Sequence, residues 1–205
     1  MTTRPLIAAC LILLASTAAS RAMLPGEFKD VWWPYLRGMK EPVLSREKAT
    51  DGDFQFRWTR LPHYGEPVSV RIWRAHGQTY ARAVGLKFYL DYRVGRITRD
   101  QTDRVPEKQA AMLRSYLADA EFWQPRHEGD RILGGTRWLF ELQDSSGYHV
   151  LSVFSPVLFL GDQEVGDRAY HWTPAQKRIF RREIQVATFL LRATKIFPDE
   201  LTVQE

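Results

Sequence analysis

Glu141 and His149 are the two residues of this 205-residue chain whose types and spacing come closest to a reactive pair. They fall on the two arms of an expected hairpin, Thr136 to Gln143 and Tyr148 to Phe154, around the turn-forming run Asp144-Ser145-Ser146-Gly147. A carboxylate beside an imidazole orients the ring and raises its basicity, as the general base of a hydrolase requires. Register decides whether the two can meet. A two- or four-residue turn centred on Ser145-Ser146 pairs Glu141 with Val150 and Leu142 with His149, which sends the two side chains to opposite faces of the sheet. A bulge or an odd-length loop brings them together. Failing that, they are a cross-strand polar pair or two unrelated positions.

The remaining candidates are weaker. No two of His63, His76, His127, His149 and His171 stand four apart on a helix, so the common zinc-hydrolase arrangement is missing. His127-Glu128 with Asp130 offers imidazole and carboxylate ligands, but in a polar connection beside Gly129, where solvated charges are the default. No metal site and no cofactor are expected. Gly-x-Ser-x-Gly is absent, and so are the glycine-rich phosphate loops, which leaves serine hydrolysis and nucleotide binding without support. Trp58, Trp73, Trp123 and Trp138 offer the makings of a groove for sugars, apolar ligands or a protein, yet large rings serve equally well as the core of a sheet-and-helix domain. Core is the expected place for most of them.

The elements that must position these residues follow from periodicity. From Phe54 to about Ile97 apolar and polar residues alternate. This predicts three antiparallel strands, with a hairpin at His76-Gly77 and a third strand running from Tyr80 to Tyr92, where Gly85 marks a bulge or break. Ala110, Leu113, Leu117 and Ala120 then recur at helical spacing behind Asp103 as N-cap and Pro106 in the first turn. The hairpin of Glu141 and His149 comes next, followed by a loop of glycine and charged residues from Gly161 to Asp167. The last helix opens on the capping box Thr173-Pro174-Ala175-Gln176 and carries the stripe Phe180, Ile184, Ala187, Leu190 and Leu191 to about Lys195. The fold class expected is α+β: one antiparallel sheet of about five strands with two helices packed on one face.

Residues 1-22 read as a signal peptide. Arg4 precedes an apolar run from Leu6 to Ala15, and small residues follow, with cleavage after Ala19, Ser20 or Ala22. The run is too short to span a bilayer, which takes about 20 apolar residues, so no integral membrane protein is expected after cleavage. Ile7-Ala8-Ala9-Cys10 imitates the box before a lipidated cysteine, but the greasy stretch follows Cys10 rather than preceding it, so lipidation is not expected. Cys10 is the only cysteine, which rules out an internal disulfide. Losing Arg4 and Arg21 leaves 27 basic residues against 24 acidic ones, interspersed, with no basic tract of the kind that binds nucleic acid. Residues 23-53 form an irregular lead segment rich in proline, glycine and aromatics, expected to pack as a lid on the single α+β domain of residues 54-205.

The run Gly134-Gly135-Thr136-Arg137-Trp138-Leu139-Phe140-Glu141, then Gly147-Tyr148-His149-Val150 and Ser155-Pro156, with Phe122-Trp123 upstream, resembles a pattern in uncharacterised exported proteins of proteobacteria. The resemblance covers roughly residues 54 to 156. It implies export and carries no activity, so it assigns no catalytic residue. The expectation is therefore a periplasmic or secreted protein that binds a protein partner or a cell-envelope ligand. The alternative is a hydrolase built on Glu141 and His149.

Overall fold

The computed structural model describes residues 28–48, 53–118, 120–123, 136–154, 163–165, 168–170 and 174–194. The signal-peptide stretch with Cys10, the group His127, Glu128 and Asp130, Gly134-Gly135, Ser155-Pro156, His171 and the capping residue Thr173 lie outside them.

Alternating sequence produces a six-stranded antiparallel sheet made of β1 (Gln55–Leu61), β2 (Val68–Ala75), β3 (Gln78–Leu86), β4 (Ile97–Val105), β5 (Arg137–Asp144) and β6 (Gly147–Phe154). Its strand order is β4-β3-β2-β1-β5-β6. A separate two-stranded ribbon pairs β7 (Gln163–Val165), inside the stretch expected to be a plain loop, with β8 (Arg168–Tyr170) just after it. The β2–β3 link uses His76 and Gly77, both at positive φ (52° and 73°), the turn whose twist suits a two-residue hairpin.

The α+β class with a single sheet is as expected, but there are six strands rather than about five. The addition is β4. Its sequence, ITRDQTDRV, lacks an apolar face, and most of it is exposed because it forms the edge of the sheet. Asp103 is consequently a strand residue paired with Ala81, not a helix N-cap; that position belongs to Pro106. The strand expected from Tyr80 to Tyr92 stops at Leu86, after a register shift between Gly85 and Leu86. Residues 87–96 form a loop instead.

One face of the sheet carries the main core. Phe56, Trp58, Val70, Ile72, Ala81, Ala83, Trp138, Phe140, Leu142 and Val153 project toward α2 (Glu107–Leu117) and α3 (Pro174–Thr194). Leu113, Leu117, Ile184, Ala187, Leu190 and Leu191 meet them from the helices. Trp58, Trp123 and Trp138 are core, as expected; Trp58 and Trp138 pack edge to face with centroids 5.2 Å apart. Trp73 lies on the opposite face, between the Arg71 guanidinium and the Tyr80 ring.

That opposite face is covered by the lead segment. A π-helical turn (Phe28–Trp32) runs into α1 (Trp33–Gly38), and a 3-10 turn follows at Leu44–Arg46. Pieces this short are not stable helices alone. Packing holds them: Trp32, Leu36, Met39 and Leu44 are fully buried, and each such side chain contributes about 1.5–3 kcal/mol. Trp32 and Leu36 sit on Leu61, Leu139 and Val150, while Met39 sits on Val84 and Leu86.

Candidate functional site

Between those two apolar seats runs a row of charge that antiparallel register builds. Arg57 on β1 pairs with Arg71 on β2, and Arg71 pairs with Arg82 on β3. On its other side Arg57 pairs with Glu141 on β5. Like charges directly opposite one another repel, so three arginines in line need anions. The lead segment delivers one. α1 ends in a Schellman motif: Lys40 takes a left-handed conformation (φ 57°), and the Glu41 amide donates to the Leu36 carbonyl at 2.9 Å. This bend lowers Glu41 onto the row. Its Oε2 accepts from Arg71 Nε at 2.8 Å and lies 3.6 Å from Arg57 Nη1, while its Oε1 accepts from Arg82 Nη1 at 2.7 Å. Arg82 also grips Asp100 through two parallel bonds of 2.8 and 2.7 Å, which holds that carboxyl below its ordinary range.

Glu141 belongs to this row, where both of its carboxylate oxygens are engaged. Arg57 Nε donates to its Oε2 at 2.6 Å, with Nη2 at ion-pair distance from the same oxygen, and the Tyr148 hydroxyl donates to its Oε1 at 2.8 Å. Burial, together with the neighbouring Glu141 charge, pushes the Tyr148 phenol well above the usual tyrosine range. His149 pairs with Leu142 and therefore occupies the helix-bearing face, its ring 5.6 Å from that of Trp123. The two-residue turn at Ser145-Ser146 sets that register, and Glu141 and His149 are on opposite faces.

His149 does meet a serine, in the wrong sense for a nucleophile. Ser146 Oγ donates its only proton to Asp144 Oδ1 at 2.6 Å, so across the 2.9 Å contact with His149 Nε2 the hydroxyl accepts. A base must take the serine proton. The trio fastens the turn instead.

The open site lies at the far end of β1. A cleft of about 380 Å³ is lined by Asp30, Val31 and Tyr35 from the lead segment, Leu61 at the end of β1 with Pro62 and His63 beyond it, Tyr92 and Arg137. Its volume is in the range of small-molecule and side-chain pockets. Tyr92 stands in a left-handed conformation (φ 56°), unusual for an aromatic residue. Two contacts hold it there. The Tyr35 hydroxyl donates to the Tyr92 carbonyl at 2.7 Å, and the Tyr92 hydroxyl lies 3.0 Å from His63 Nδ1. Burial, and after it Tyr92 and Asp91, raises the Tyr35 phenol. His63, Tyr64, Phe88 and Tyr92 close a ring of aromatic contacts beside the cleft.

Sequence reasoning missed this end of the molecule because Tyr80 to Tyr92 reads as one strand. The signal was present: Phe88-Tyr89-Leu90 breaks the alternation with three consecutive apolar residues. Among the described residues no cluster of three or more His, Cys, Asp or Glu could hold a metal ion, and no helix is long and apolar enough to cross a membrane. The chain matches no protein-family model and none of the curated proteins.

Proposed function

We propose that this is an exported protein, periplasmic or secreted, that works by binding a protein or a cell-envelope ligand at the aromatic end of its sheet. One observation carries the reading. Of the five exposed large hydrophobic residues among those described, four (Tyr64, Leu90, Tyr92 and Val94) lie in the two loops beside the Tyr35–Tyr92 cleft. Concentrated apolar exposure around a concave site marks a contact surface. The separation of Glu141 from His149 on opposite faces, and the engagement of Glu141 by Arg57 and Tyr148, weigh against the hydrolase alternative. The leading residues 1-22 and the resemblance to exported proteobacterial proteins support the compartment.

Native mass spectrometry on the protein recovered from the periplasm, beside a Tyr64→Ala/Tyr92→Ala variant, tests both parts. The expected result is a mass shortened by the leading residues and a retained partner or ligand that the variant loses. A full-length mass would refute export. A bare monomer, or a partner held equally by both proteins, would refute binding at this surface.

A further inference from the structure

Loop 87–96 is tied by backbone hydrogen bonds at its base and at its tip. The Lys87 amide donates to the Arg96 carbonyl at 2.9 Å and closes its base. Gly95 has to be glycine, since a Cβ there would overlap the Lys87 carbonyl. Val94 leans on Gly38 of α1, where any side chain would displace it. At the tip the Tyr92 amide donates to the Tyr89 carbonyl at 3.0 Å, which makes Leu90 and Asp91 the central residues of a tight turn.

Turn tips usually carry polar residues, and Asp91 fits, accepting from the Arg93 amide at 3.3 Å. Leu90 does not. It is 75% exposed, and neither the turn nor the core uses its side chain. Tyr64, 67% exposed, and Tyr92 both pack on Phe88 of the same loop. The loop also places three exposed cations, Lys87, Arg93 and Arg96, against one acid, Asp91, whose Oδ2 lies 3.5 Å from Arg93 Nε, so Lys87 and Arg96 carry its excess positive charge. Lys87 and Arg93 lie over the Tyr89 ring, at 5.5 and 4.1 Å from its centroid.

We infer that loop 87–96 seats the protein on an anionic lipid surface, with Leu90 entering the headgroup boundary and Lys87 and Arg96 meeting the lipid charge. The inference rests on the binding reading above and names its ligand. A protruding aliphatic residue, amphipathic tyrosines packed on its loop and an excess of cations are what an interfacial element needs. The tyrosines and arginines would suit a protein as well, but a protruding leucine matches a soft surface that needs no dedicated pocket, and lysine is depleted at protein contacts. The hydrogen bonds at its base and tip pre-organise the loop backbone, which lowers the ordering cost on contact.

The test measures partition onto vesicles of equal parts phosphatidylcholine and phosphatidylglycerol, and onto phosphatidylcholine alone. Wild type is compared with Leu90→Asp and with Lys87→Glu/Arg96→Glu, all sharing one N-terminus so that its contribution cancels. Preference for the anionic vesicles is expected, with at least about a tenfold loss in Leu90→Asp and a weaker salt dependence in the charge reversal. These side chains are exposed, so the variants should keep the wild-type circular dichroism; Tyr64→Ser gives a second apolar probe. Partition unchanged in Leu90→Asp, or equal on both lipids, would overturn the inference. If Leu90→Asp then loses a protein partner in native mass spectrometry, the surface is a protein contact and the binding reading survives. If nothing is lost there either, both fall.

Discussion

Glu41→Gln isolates the role of the lead-segment carboxylate, because it keeps the side chain's shape and removes its charge. The three arginines would fare differently. Arg57 keeps Glu141, and Arg82 keeps Asp100. Arg71 is left with a contact of 3.5 Å to the Gln55 amide oxygen and with the Trp73 ring, and its side chain is only 14% exposed. Removing one partner of a buried ion pair costs about 3–5 kcal/mol, chiefly because the remaining charge is stranded away from water. That is a large share of the 5–15 kcal/mol that ordinarily stabilises a domain. The stranded charge is also the means of checking the account. Arg71→Met in the Glu41→Gln background removes it while keeping a long apolar stem over Trp73. The double variant should recover at least about 1 kcal/mol relative to Glu41→Gln alone, which is a measurable coupling. Urea unfolding followed by tryptophan fluorescence reads both quantities. A loss below about 1 kcal/mol for Glu41→Gln, or a double variant less stable than the single one, would refute the claim that Glu41 neutralises a strained arginine row.

Trp138→Ala should cost about 3–5 kcal/mol, since the ring is buried against both Trp58 and Phe140; urea unfolding with unchanged stability would place it outside the core. Asp100→Asn should lower stability at neutral pH. The Asp100 carboxyl is held low by Arg82, so its contribution is present above the ordinary carboxylate pKa and is lost as pH falls through the depressed one. The gap between wild type and variant in urea midpoint should therefore close as pH falls below the ordinary carboxylate range, and a gap that persists in strong acid would count against the pairing. Gly95→Ala should loosen loop 87–96, seen as faster amide exchange at Lys87 and Tyr92 with the sheet unaffected; exchange at wild-type rates would mean that the close approach to the Lys87 carbonyl is not obligatory.

The parts of the fold legible in the sequence are those where a local pattern meets its own environment. Asp144 to Gly147 signalled a tight turn, the turn fixed the register, and the register put Glu141 opposite Val150 and His149 opposite Leu142. The stripe from Phe180 to Leu191 is buried as its spacing implies. β4 was not legible because an edge strand exposed along most of its length has no apolar alternation to display. Asp103 then looked like a cap, as polar residues before a helix do. The arginine row was hidden for a different reason. Arg57, Arg71 and Arg82 are unremarked one by one, and only the pairing of three strands aligns them. Glu41 is harder still, since nothing short of the bend at Lys40 says where its carboxylate lands.

The strand order has a kinetic corollary. β1 is the first of the described strands, yet it lies inside the sheet, between β2 and β5. Its partner Glu141 is 84 residues downstream of Arg57. The β1–β4 meander can zip from local hairpins, but the other border of β1 stays open until β5 arrives, and the loop-closure entropy of that long excursion must be met first. During that interval Arg57 lacks its Glu141 partner, and Trp58 lacks the Trp138 ring it packs against. Folding of this chain should therefore be limited by one late, long-range closure rather than by helix formation, and the half-built sheet with its unpaired inner strand is the species most exposed to aggregation.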